Sequence, residues 1–101
     1  RLFQLHNWRS LSRLEHGREL GPEASALKLY WSEMSKRLHQ TAMAVLGDAA
    51  PLWRGANDNP GDGAWQRAWL YYQSSSIFAG TNEIQRDIIG MVALGLPHAN
   101  R

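Results

Sequence analysis

Residues 23–46 contain neither proline nor glycine, and no other feature limits the fold of this chain so tightly. Pro22 suits a first helical turn, where its missing N–H has no partner, and Glu23 sits at the positive end of the helix dipole. Leu27, Tyr30, Trp31, Met34, Leu38, Ala42 and Val45 then fall within about 100° of one another at the helical period. Lys28, Ser32, Lys36, His39 and Gln40 take the opposite side. The spacing predicts one long amphipathic helix from Pro22 to Leu46, apolar stripe inward, stopped by Gly47 and Pro51.

Three more helices are expected around it. Leu2, Phe3, Leu5, Trp8, Leu11 and Leu14 lie in a stretch free of proline and glycine, which predicts a helix over residues 2–16 that ends at Gly17. Its apolar side chains spread over most of the circumference, so this helix expects neighbours on most sides. A third helix is predicted from about Ala64 to Gln73, with Trp65, Ala68, Trp69 and Tyr72 on one face, weakening at Ser74–Ser76. A last helix follows the Phe78-Ala79-Gly80 turn, with Thr81 or Asn82 as its cap and Asn82 with Gln85 as a loose capping box. Ile84, Ile88, Met91 and Val92 mark its expected buried face, and Gly95 and Pro97 end it.

Residues 47–63 are dense in turn formers, from Gly47 and Pro51 to Asn59, Pro60, Gly61 and Gly63, which predicts a flexible loop. With no strand candidate and no repeat, the chain reads as one all-α domain of the four-helix-bundle class. Its 101 residues hold one small domain, and an apolar segment that starts at Arg1 without methionine points to truncation on the amino-terminal side.

Composition excludes several functions. The 11 basic and 9 acidic residues give +2, and the basic ones are scattered, so a nucleic-acid surface is not expected. No cysteine is present, which removes disulfides and thiolate chemistry and is compatible with a cytoplasmic home. No stretch approaches the roughly 18 apolar residues of a membrane span. His6, His16, His39 and His98 share no metal-binding spacing, so no metal is expected. Trp31, Trp65 and Trp69 sit at helical core spacing and read as packing.

The residues that carry chemistry lie near the carboxyl end. A glycine at a tight turn followed by Thr81 and a helix start can hold an anion, although any ordinary helix cap has the same parts. The run Phe78-Ala79-Gly80-Thr81-Asn82-Glu83-Ile84-Gln85-Arg86-Asp87-Ile88-Ile89, closed by Leu94-Gly95-Leu96-Pro97, resembles the carboxyl-terminal signature of the acyl-CoA dehydrogenase family. The resemblance implies a helical carboxyl-terminal domain of an FAD enzyme that converts an acyl-CoA to its trans-2-enoyl product and reduces an electron-transfer flavoprotein. It further implies Thr81, Asn82 and Glu83 as FAD contacts and Phe78, Ala79 and Gly80 as the border of the acyl-CoA thioester. Homo-oligomers or hetero-oligomers with a related subunit are implied as well.

Ala79 departs from the family pattern. Many members carry the catalytic glutamate there, and a methyl group cannot remove a proton. Some relatives place that glutamate on an earlier helix, while certain bacterial two-subunit forms pair a catalytic chain with one that lacks the base. Glu15 and Glu33 match neither arrangement and read as surface charges. Of the glutamine and paired glycines that meet the neighbouring flavin in many relatives, only Gly47 is matched, and Met91 stands where some keep an arginine. An alternative reading is therefore a non-catalytic structural subunit of a heteromeric complex.

Overall fold

The structure, a computed structural model, describes residues 1–97. Among them are four α-helices and no strand: α1 (Leu2–Glu15), α2 (Glu23–Leu46), α3 (Ala64–Tyr72) and α4 (Asn82–Ile88). Short 3-10 turns follow α2 (Gly47–Ala49) and α3 (Gln73–Ser76), and α4 continues into a π-helical stretch, Ile89–Ala93. The all-α expectation and each helix in its expected place are thus borne out. The chain divides into two compact units, one of residues 1–31 with the segment from 79 onward, the other of residues 32–78.

In the first unit, α1 stops where its sequence says it must. Gly17 takes φ +66°, its N–H donates to the Leu14 carbonyl and the Arg18 N–H donates to the Arg13 carbonyl. This is a Schellman closure, which a left-handed glycine makes cheap. The inward side of α1 is Phe3, Asn7, Ser10 and Arg13, each partly covered. Phe3 approaches Tyr30 of α2 at 6.0 Å between ring centroids, and Arg13 pairs with Glu23 at the start of α2. The Lys28 Nζ on α2 donates to the Asn82 Oδ1 at 2.9 Å, tying α2 to the first residue of α4.

The second unit is held by rings and amides. His39 stacks on Tyr72 at 4.4 Å, and its Nδ1 lies 2.7 Å from the Ser35 carbonyl. The Trp69 indole N–H donates to the Gln40 Oε1 at 3.0 Å, and the Ser75 hydroxyl sits 2.7 Å from the Tyr72 carbonyl and 3.3 Å from that of Ser32. Residues 51–63 form successive turns, knit by two side chains. Asn59 donates to the carbonyls of Leu52 and Trp53, and Gln66 donates to the Ala49 carbonyl and the Asn59 Oδ1.

The face of α2 is the main departure from expectation. Its buried side chains are Ser25, Ser32, Ser35 and His39, with Ser32 at 0% exposure. Tyr30, Met34, Leu38 and Val45 from the predicted inner stripe are exposed, Leu38 at 58% and Val45 at 81%. Serine can be buried because it is small and its hydroxyl can bond to a carbonyl of its own helix. An apolar stripe turns inward where the opposite face meets water, and in α2 the opposite, serine-bearing face is the covered one. On α4 the same inversion leaves Ile84 and Val92 exposed, with Ile88 and Met91 half-buried. Trp65 of α3 is likewise exposed.

Among the described residues no large apolar side chain is fully buried, while Leu2, Leu5, Trp8, Leu11 and Leu14 of α1 all face outward. Burying one leucine is worth about 1.5–3 kcal/mol, so such a surface strongly favours association. The chain in isolation is expected to sediment as a dimer or larger at about tens of micromolar, with a melting temperature that rises with concentration. A monomer of 11.4 kDa with a concentration-independent melt would contradict this.

Candidate functional site

The stretch from Phe78 to Glu83 carries an unusual backbone. Ala79 sits at φ +55° and Gly80 at φ +82°, two left-handed residues in succession. Glycine adopts that region freely, whereas an alanine there costs about 1–2 kcal/mol. Phe78, Ala79 and Gly80 are all exposed. Phe78 donates its N–H to the Ser74 carbonyl, with its ring 6.4 Å from that of Tyr71.

Thr81 returns to extended backbone, φ −61° and ψ 158°, and caps α4 by accepting the Ile84 N–H on its hydroxyl at 3.3 Å. Of the two residues expected to cap, Thr81 does so. The capping box is not formed, because Gln85 reaches past the helix start and donates its Nε2 to the Ala79 carbonyl at 3.0 Å. Asn82 is 2% exposed, with its side chain directed inward to Lys28. Glu83 is exposed.

The carboxyl of Glu83 is held below its ordinary value of 4.5, first by its own backbone N–H, then by the Thr81 hydroxyl, with Arg86 and Lys28 adding charge. The N–H groups of Ile84 and Gln85 are taken by the hydroxyl and the carbonyl of Thr81. What remains outward is an ionised carboxylate beside a hydroxyl, a pair that accepts hydrogen bonds and repels phosphate.

The other singled-out residues fall elsewhere. Glu15 is exposed, and Glu33 lies 4.0 Å from Lys36 Nζ. Gly47 is exposed at φ +53°, and Met91 is half-buried in the π-helical stretch. No cluster of potential metal ligands occurs among the described residues, and none of their helices is long and apolar enough to cross a membrane. His98 lies outside the described residues. Sequence reasoning missed Lys28 and Gln85. No local signal could have joined Lys28 to Asn82 across 54 positions.

A family model described as acyl-CoA dehydrogenase, C-terminal domain, matches residues 1–94. The chain belongs to the acyl-CoA dehydrogenase family. It is 40% identical over 106 aligned positions to the acyl-CoA dehydrogenase FadE26 of Mycobacterium tuberculosis, covering 99% of the chain and 26% of that relative. It is 41% identical over 71 positions to the acyl-CoA dehydrogenase IpdE1 of Mycolicibacterium smegmatis, covering 69% of the chain and 17% of the relative. Solved structures share the arrangement of its helices. The ChsE4-ChsE5 complex of M. tuberculosis matches at a TM-score of 0.81 and 37% identity, over 97% of this chain and 25% of that one. A Tcur3481-Tcur3483 steroid ACAD shares the fold at a TM-score of 0.85 and 23% identity, over 97% of this chain and 26% of that one. The chain thus spans about a quarter of the length of FadE26.

The lowered Glu83 carboxyl gives a pH test. A group whose folded value is depressed adds stability above its unfolded value, and that stability is lost as pH falls through the folded value. Glu83→Gln is therefore expected to lower the melting temperature of the protein at pH 7, with the gap closing below the ordinary carboxyl value of 4.5. Melts that differ equally at pH 7 and in acid would show that the carboxylate does not support α4.

Proposed function

We propose that this chain is the carboxyl-terminal part of an FAD-dependent acyl-CoA dehydrogenase that oxidises an acyl-CoA to trans-2-enoyl-CoA and passes the electrons to an electron-transfer flavoprotein. The observation that carries the proposal is the exposed turn Phe78-Ala79-Gly80, set at the head of the Thr81-capped helix within a domain of this family. In this reading Phe78, Ala79 and Gly80 border the thioester. Thr81 and Glu83 offer FAD hydrogen-bond acceptors, which suits its hydroxyl and amino groups, not its phosphates. Asn82 contributes from beneath, held on Lys28.

Bound FAD would supply the acceptor for a hydride from the β-carbon of the acyl chain, and Thr81 and Glu83 would be the residues of this chain beside it. This chain's turn supplies shape and exclusion of water at the thioester, while the α-proton needs a base that Ala79 cannot be. That base belongs to another segment of the polypeptide or to a partner subunit. The second arrangement draws support from ChsE4-ChsE5, a relative described as a complex, and makes the protein one half of a hetero-oligomer. The same methyl group at Ala79 favours a second reading, in which this chain serves a structural role beside a catalytic partner.

Two outcomes are expected. The 101-residue chain should not retain FAD through gel filtration, because the described residues form no strand and so no β-domain to cover the flavin ring; co-eluting flavin absorbance would contradict this. In the full-length protein, Ala79→Glu should not speed flavin reduction by acyl-CoA, since a second carboxylate beside an existing base raises the pKa of one of the two. Stopped-flow absorbance decides, and a large gain with glutamate would favour the structural reading of the native chain.

A further inference from the structure

Gln85 stands in the family-like run but has no part in the roles assigned above, and its surroundings are specific. Its side chain is buried, and its Nε2 donates to the Ala79 carbonyl at 3.0 Å. A Cβ built on Gly80 would stand 2.7 Å from the same nitrogen, so the Gln85 amide occupies the space that any side chain at position 80 would need. Gly80 is favoured by φ +82°, and a side chain there would displace the Gln85 amide from its place. Ala79 has no such freedom, and its left-handed backbone must be paid for by its surroundings.

We propose that Gln85 is a positioning residue that locks the Ala79-Gly80 turn in its left-handed form, and so fixes the edge along which the acyl-CoA thioester lies. The proposal rests on the acyl-CoA reading for its functional half and on the geometry of the turn for its structural half. The bond is part-buried, so water competes for it less than for one on an open surface. Because the peptide is planar and trans, a carbonyl directed at Gln85 turns the Gly80 N–H away from it. Without the lock, Ala79 relaxes toward ordinary backbone, the peptide plane rotates and the outward surface of the turn changes.

The test uses the full-length holoenzyme with two variants. Gln85→Met keeps the length of the side chain and removes the donor. Gln85→Glu donates only when protonated. With a CoA thioester on which the wild type turns over, Gln85→Met should raise KM by about fivefold, the worth of one hydrogen bond, with kcat little changed. Amide exchange should quicken in a peptide spanning residues 77–83 and nowhere else. Gln85→Glu should resemble the methionine variant at pH 8 and recover toward wild-type KM as pH is lowered to 5. Wild-type KM and exchange in Gln85→Met would overturn the proposal, as would exchange that quickens throughout the chain with a lowered melting temperature, the mark of a general structural role. A wild type that turns over no CoA thioester would overturn the acyl-CoA reading and the functional half with it, a result separable from an unresponsive Gln85→Met in an active enzyme.

Discussion

A helix of 24 residues must choose which stripe to give its neighbours, and in α2 that stripe is made of Ser25, Ser32, Ser35 and His39. Small side chains let backbones approach closely, and serine hydroxyls satisfy themselves on carbonyls, so the contact costs little in unpaired polar groups. His39 fills the one wide position, flat against Tyr72. The result is a helix that leaves Tyr30, Met34, Leu38 and Val45 outside, while Leu27, Leu29 and Trp31 are half-buried. In α1 the covered side is polar too, with Asn7, Ser10 and Arg13 partly covered and the leucines outward, but there the Ser10 Oγ and the Arg13 Nε are buried without a hydrogen-bond partner.

This arrangement explains what the sequence could and could not convey. Helix positions were legible because Gly17, Pro22, Gly47 and Gly95 punctuate the chain, and punctuation is local. The inner stripe of α2 was not, because an apolar pattern says that a face will be covered without saying by what. Leu38 and Ser32 therefore exchanged their expected environments while the helix itself stayed in place.

The candidate site was legible to a similar depth. Thr81 as a cap follows from a hydroxyl at the head of a helix, and the structure places it there. The outward Glu83 follows from the same turn. The long reach of Lys28 to Asn82 and the backward reach of Gln85 depend on which side of each helix faces in, the very thing that the pattern obscured. An error in one helix face thus carried through to the support of a turn far along the chain.

The segment between Leu52 and Gln66 has its geometry stored in two amides, since Asn59 and Gln66 between them hold the carbonyls of Ala49, Leu52 and Trp53. Asn57 and Asp58 lie at the exposed tip, beyond the reach of those bonds. Chain length is therefore free to drift at the tip while the flanks stay in register, because closing a slightly longer loop costs little entropy. A reporter peptide or affinity tag grafted between Asn57 and Asp58 would ride on the surface without disturbing the helices that the amides hold.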